Sequence, residues 1–280
     1  MADSFKITQA TQQDISSIST FLETANFVHR HLDWQPLIDW VGSQPFLLLQ
    51  NQLGAIEAIL ALPPDPPQIA WVHCFACSAA LTPNLAWQLL FPTALALLSR
   101  QNVEPVAVGL EEWFTQLLLL EGFSIQQKIV VLLWDHHLPP AIPLPAQVML
   151  RPMEPQDIPE VASLDAAAFE KIWANSENSI RLAYLQAERS TVAEQNGRII
   201  GYEISTSSQY TAHLARLAVL PEFRHQQIGK ALVREMLAHF SRHGKIQVTV
   251  NTQNDNQASL HLYKNLGFEF TGEDFPVLKQ

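Results

Sequence analysis

The chain has 280 residues, 48% of them hydrophobic, and a formal net charge of −10 at pH 7. That is enough for one large domain or two of ordinary size with real cores. Its 17 Lys and Arg exclude an extended nucleic-acid surface, which needs clustered cations, but leave room for a local pocket holding one small anion.

No apolar run approaches the roughly 20 residues of a membrane span. The opening MADSFKITQ has neither the basic start nor the apolar stretch of a signal peptide, so a cytoplasmic protein without membrane or nucleic-acid partners is expected. Phe5 to Leu22, FKITQATQQDISSISTFL, predicts a short strand, a polar turn and an amphipathic helix. A glycine turn at Gln52 to Gly54 then joins two strands. The apolar stretch IAWVHCFACSAAL follows, carrying both cysteines, Cys74 and Cys77. Strand residues three apart point to opposite faces, so these read as buried thiols. A zinc site would need two more ligands, and His73, His136 and His137 fall at no metal spacing, so no metal is expected. Trp113 and the run Leu117 to Leu120 read as core or covered surface.

The segment HHLPPAIPLPAQ, His136 to Gln147, carries four prolines and suits a stiff linker. It predicts domains at 1–137 and 148–280 joined by 138–147. Val148 to Asp165, VMLRPMEPQDIPEVASLD, repeats the opening pattern, with Asp14 matching Asp157 at an offset of 143 (157 − 14). LLLLEGF ending at Phe123 matches LYKNLGF ending at Phe268 at an offset of 145 (268 − 123). A near-constant offset over that span indicates an internal duplication. Each half reads strand, helix, a strand pair about a glycine turn (Asn196 and Gly197 in the second), strand, helix, strand, helix and closing strands. That is mixed α/β, antiparallel in front with a parallel pair further along.

In the second half, a strand-like LARLAVL (Leu214 to Leu220) meets a helix-like ALVREMLAHFS (Ala231 to Ser241) through the stretch RHQQIGKAL. A helix N-terminus offers unpaired N–H groups and a positive dipole end, a natural anion cradle. Arg224, His225 and Lys230 add donors, and Gly229 lets the backbone approach a ligand closely. The matching place in the first half, TPNLAWQLLF, has neither the glycine nor the polar turn. Chemistry is therefore expected in residues 148–280.

LAVLPEFRHQQIGKALV followed by VTVNTQNDNQASLHLYKNLGFEFTGE resembles the acyl-CoA-binding core of the GNAT superfamily of N-acetyltransferases, whose loop runs (Arg/Gln)-x-x-Gly-x-(Gly/Ala). The resemblance is strongest over about the last 70 residues and reaches the first half only through the duplication. It implies two tandem GNAT-like domains, each a mixed, mostly antiparallel twisted sheet flanked by helices with a splayed parallel strand pair, the first copy degenerate. It implies that Leu217, Ala218 and Val219 pair with the pantetheine arm of acetyl-CoA. Arg224, His225, Gln226, Gln227, Ile228, Gly229 and Lys230 become the pyrophosphate loop, with Gln227 replacing the family's first glycine. Asn256 and Ser259 lie beside the pantetheine and adenosine, and Tyr263 near the sulfur as general acid, where the first half has Leu118.

The resemblance points to no single general base. The positions that carry it in relatives hold Asn251 and Arg216 here, leaving Glu203 and His213 as the nearest substitutes. The aromatics and acids of DAAAFEKIWANSEN (Asp165 to Asn178) fall where the family builds its acceptor wall, which makes Phe169, Glu170, Trp173 and Asn251 candidates for touching substrate; Phe169 and Trp173 are also four apart, as on one helical face. The implied activity is transfer of acetyl from acetyl-CoA to a primary amine of an unidentified acceptor. A non-catalytic acyl-CoA sensor or interaction module and a purely structural protein are the alternatives. A homodimer is compatible with the sequence.

Overall fold

A computed structural model describes residues 5–135 and 137–280; His136 lies outside them. The chain divides into two compact units, one from Met1–Gln126 with Phe275–Gln280 and one from Gln127–Asp274. This differs from a division at the proline-rich segment. Residues 138–147 form no helix or strand and lie inside the second unit, where Arg234 Nε donates to the Pro139 carbonyl at 3.2 Å.

The first unit runs β1 (Lys6–Gln9), α1 (Ile15–Thr24), β2 (Phe27–Arg30), β3 (Phe46–Gln50), β4 (Ile56–Ala61), β5 (Ile69–Trp71), β6 (Cys74–Cys77), α2 (Pro83–Ser99), β7 (Glu104–Val108), α3 (Glu112–Leu120) and the start of β8 (Ser124–Trp134). One sheet has the order β1-β3-β4-β6-β2. β5 pairs parallel with β7, which also pairs with the chain's last residues, Val277–Lys279. The CFAC strand is buried throughout and its side chains alternate between two cores: Phe75 and Cys77 in one with Trp87 and Phe114, Cys74 and Ala76 in the other with Ile18 and Phe46. Both thiols are free, and burial pushes them up, to about 12 for Cys74 and about 11 for Cys77. Leu117 and Leu118 are buried, whereas Leu119 and Leu120 are exposed.

The second unit continues from Gln127 through the rest of β8 to β9 (Val148–Pro152), α4 (Ile158–Ala168), α5 (Glu177–Gln186), β10 (Arg189–Gln195), β11 (Arg198–Ser207), β12 (Thr211–Val219), α6 (Ile228–Arg242), β13 (Gln247–Gln253), α7 (Gln257–Asn265) and β14 (Glu269–Lys279) to Asp274. Its strand order is β14-β8-β13-β12-β11-β10-β9. Asn196 and Gly197, both at positive φ, turn β10 into β11 as the sequence predicts. Leu214, Val233, Leu237, Phe240, Val250 and Phe268 anchor a core between the sheet and helices α6 and α7.

The duplication is visible in fine detail. Each copy enters its first long helix through a short 3-10 turn closed by a capping box: the Asp14 carboxylate accepts from the Thr11 N–H at 2.8 Å, and the Asp157 carboxylate from the Glu154 N–H at 2.8 Å. No helix among the described residues is long and apolar enough to cross a membrane.

Candidate active site

The site begins where two parallel strands part. β12 pairs with β11 from Ala212 to Val219, with a bulge that leaves Ala215 extra between Leu214 and Arg216. Its parallel pairing with β13 covers only Thr211 to Leu214, after which β13 runs on to Gln253 against β8. A bulge bends and twists its strand, so the two diverge and one edge of Ala215 to Val219 has no strand partner among the described residues. The Leu220 N–H bonds to the Ile200 carbonyl at 2.9 Å. Antiparallel strands alternate the direction of their peptide groups, so those of Leu217 and Val219 face the open edge.

The opening leads into the polar turn. His225 (φ 63°) and Gln227 (φ 67°) both adopt the left-handed conformation, which costs a side-chain-bearing residue about 1 kcal/mol each. This explains why a glycine suits the position that Gln227 fills. α6 then starts at Ile228 with no side-chain cap, so its first N–H groups keep their hydrogen-bonding capacity and dipole end. A cleft of about 830 Å³ is lined by Leu217, Ala218 and Val219, by Arg224, His225, Gln227, Ile228, Gly229 and Lys230, and by Asn256 and Ser259. Of the expected loop residues, Gln226 alone stays outside the lining. Arg224 is tied across the cleft to the Ala168 carbonyl at 2.9 Å.

Gly229 lines the cleft and also has a packing role. A Cβ there would stand 3.1 Å from Leu262 Cδ1 and 3.6 Å from Val219 Cγ2, so the glycine lets α6 close against α7 and the end of β12. Asn256 lines the cleft and also caps α7, its Oδ1 accepting from the Ser259 N–H at 3.1 Å.

Several expected site residues lie elsewhere. Tyr263 is buried in the α6/α7 core, 5.5 Å from the Phe268 ring centroid, and does not line the cleft; Leu217 and Leu262, which do, pack against that core. Burial holds its phenol well above the ordinary value, so it is a neutral donor at physiological pH. Glu203 is also off the cleft, fully buried on β11, with Ser205 Oγ donating to Oε2 at 2.7 Å and Arg189 Nε 3.4 Å from Oε1. Burial pushes this carboxyl up to about 7. His213 bonds Thr249 Oγ1 at 2.8 Å, burial lowers its pKa, and it too is off the cleft. Asn251 is exposed opposite Val131 and does not line it either.

Phe169, Glu170 and Trp173 do line the cleft, but not as one helical face. α4 stops at Ala168 and Phe169 is extended, because long-range bonds capture the chain beyond it. Asp165, with no exposed surface, accepts the Asn175 N–H at 2.7 Å and a two-pronged bond from Arg216 at 2.7 and 2.8 Å. Arg216 also donates to the Trp173 carbonyl at 2.5 Å, and the hydroxyl of the buried Tyr202 donates to Asp165 at 2.5 Å. Burial and then the Asp165 charge hold the Tyr202 phenol well above its ordinary value, so it stays a donor. In front, Trp173 Nε1 donates to Gln127 Oε1 at 3.2 Å, and Gln127 Nε2 donates to Asp255 at 2.9 Å. Gln127 and Asp255 complete this wall, and sequence reasoning missed both, since Gln127 lies far from the motif.

The equivalent place in the first unit is closed. β5 and β6 together match β12, with β5 pairing parallel to β7 and β6 pairing to β4. The other edge of β6, the counterpart of the open one, is filled by β2 from Phe27↔Cys77 to Arg30↔Cys74. α2 is capped by Thr82 Oγ1, which accepts from the Leu85 N–H at 3.3 Å, and has proline at its first position. Among the described residues no group of three or more His, Cys, Asp or Glu side chains is arranged to hold a metal ion.

Comparison with known proteins agrees with this geometry. The model of the acetyltransferase (GNAT) family matches residues 158–268. N-acetyltransferase family 8 member 2 of Rattus norvegicus is 34% identical over 103 residues, 34% of this chain and 46% of that protein, so the chain spans about half the length of that relative. The ribosomal protein bS18-alanine N-acetyltransferase of Escherichia coli K12 is 25% identical over 118 residues, 41% of this chain and 77% of that protein. Among solved structures, a tandem GNAT protein from the clavulanic acid biosynthesis pathway aligns with 99% of this chain and 98% of its own at TM-score 0.65 and 15% identity. A GCN5-related N-acetyltransferase from Anabaena variabilis aligns with 99% of this chain and 72% of its own at TM-score 0.71 and 14% identity. Residues 158–268 therefore match the acetyltransferase (GNAT) family, and the chain as a whole shares the fold of a tandem GNAT protein.

Proposed function

We propose that the second unit transfers an acetyl group from acetyl-CoA to an amine, and that the first unit has lost this capacity. One observation carries the reading: a single cleft joins a free strand edge at Leu217 to Val219 to the uncapped N-terminus of α6. The edge offers peptide groups of the spacing that an amide-containing pantetheine arm needs, and the helix end with Arg224, His225 and Lys230 offers donors and positive charge to a pyrophosphate. The first unit has neither, because β2 fills its edge and Thr82 caps its helix.

The chemistry asks for few groups. A neutral amine attacks the thioester carbonyl, the oxygen gains negative charge, and an outward-facing N–H near Val219 is the donor for it. Collapse breaks the C–S bond, and the thiolate takes a proton while the amine nitrogen loses one. Tyr263 stays protonated and is buried in the core against which Leu217 and Leu262 pack, so delivery of its proton to the cleft requires those side chains to move. Glu203 is fully buried and His213 is bonded to Thr249 off the cleft, so the proton of the amine goes to water or to a cleft side chain such as Glu170.

The test is a screen of amines and peptide N-termini with acetyl-CoA, following the release of CoA thiol, beside a calorimetric titration with acetyl-CoA alone. Tight binding without turnover of any acceptor would favour the sensor reading; no binding would overturn both.

A further inference from the structure

We propose that Arg216 is a positioning residue that holds the acceptor wall of the cleft, and that the segment 168–176 owes its shape to it. This rests on the transfer reading of the same cleft. Arg216 sits on β12 one residue before Leu217, whose peptide groups face the open edge. From there the guanidinium reaches three parts of the opposite wall at once. It bonds both oxygens of Asp165 on α4, it bonds the Trp173 carbonyl, and its central carbon stands over the Phe169 ring at 3.7 Å from the centroid.

The last two contacts are to residues whose other sides line the cleft. Burying an ion pair only to join α4 to β12 would gain little, since an apolar pair of similar volume does that as well. What an apolar pair cannot do is hold a loop carbonyl and the face of an aromatic ring in fixed relation to one strand. The planar five-donor fork of arginine can, and the ammonium of lysine cannot. Tyr202 fills the remaining capacity of the Asp165 carboxylate and fixes its rotamer. The wall is thus set before an acceptor arrives, and its reference point is the strand that carries the acetyl donor. An acceptor amine is oriented against Phe169 and Trp173, and through Arg216 those side chains are oriented against the thioester.

The test uses the full chain with Arg216→Lys, which keeps a charge beside Asp165 so that the fold survives, and Tyr202→Phe as a milder second variant. Four quantities are read: the acetyl-CoA Kd by calorimetry, the acceptor KM and kcat with the best amine of the screen, and amide hydrogen exchange across 168–176. Arg216→Lys should raise the acceptor KM about tenfold and speed exchange in that segment, with the acetyl-CoA Kd within about twofold of wild type. Tyr202→Phe should move the same quantities the same way by less. An unchanged acceptor KM and unchanged exchange in Arg216→Lys would overturn the proposal, as would an acetyl-CoA Kd that worsens as much as the acceptor KM, which is what general damage produces. Wild type that turns over no amine at all overturns the transfer reading instead, and exchange across 168–176 then decides the role of Arg216 by itself.

Discussion

Replacing Glu203 with glutamine should remove a large part of the alkaline loss of stability of the second unit. The carboxyl is fully buried, accepts one good hydrogen bond from Ser205, and has Arg189 at 3.4 Å without a well-formed hydrogen bond. Burial raises its pKa from the ordinary 4.5 to about 7, against smaller opposing effects of Ser205, Thr191 and Arg189. The folded state therefore binds this proton more tightly than the unfolded state does. Below about pH 4.5 both states are protonated and nothing is lost. As pH rises toward 7 the unfolded state ionises first, and stability falls until the folded carboxyl ionises too. The full loss is about 3 kcal/mol, most of it between about pH 5 and about pH 8. For a unit of this size that is a drop of roughly 5–10 °C in Tm. Glutamine has the shape of the protonated acid and cannot ionise, so Glu203→Gln should match wild type near pH 5 and exceed it near pH 8. Calorimetric melting of both proteins across that range measures the difference directly. Parallel curves would show that Glu203 does not titrate there and that the burial argument is wrong.

Acetyl-CoA should bind with one site per chain by calorimetry, because the first unit's edge is filled by β2 and its helix capped by Thr82; two equivalent sites would refute the asymmetry. Tyr263→Phe should leave acetyl-CoA affinity nearly unchanged and lower turnover by about a hundredfold if the phenol protonates the leaving thiolate, and normal turnover would remove that role. Gly229→Ala should be mild, since the far end of Leu262 can shift by a few tenths of an ångström, whereas Gly229→Val should displace the start of α6 and weaken acetyl-CoA binding about tenfold or more, read by the same titration.

Much of this was legible in the sequence where the cause is local. Asp14 and Asp157 each close a capping box within three residues, so the duplication shows in strings as short as Gln-Asp-Ile. The strand-turn-helix around RHQQIGKAL is likewise written in adjacent residues. What was not legible depends on distant partners. Phe169 and Trp173 have helical spacing, but Asp165 and Arg216, 51 residues apart, draw the chain out of the helix. GYEIS reads as an ordinary strand, and only a sheet covered on both sides turns Glu203 into a buried acid, erasing the alternation that would have marked it. The prolines of 138–147 resemble a linker, whereas the compact units meet at Gln126 within strand β8, and Arg234 of α6 bonds the Pro139 carbonyl.

The two copies also serve as each other's control. Both keep the capping box, because without it the entry to the first long helix has unpaired donors whatever the protein does. Only the second keeps two side-chain-bearing residues, His225 and Gln227, in the left-handed conformation at an exposed turn. The first copy starts its matching helix from Thr82 at φ −75° and ψ 147°, unstrained and capped. A turn that costs about 2 kcal/mol and leaves a helix end without a side-chain cap gains nothing for stability, and the Thr82 form demonstrates that the same fold closes without it. Backbone strain at an uncapped helix end, beside an open strand edge in the same cleft, is compensated when an anion sits on those N–H groups. The strain in one copy and its relief in the other thus point to the same cleft as the free edge of β12.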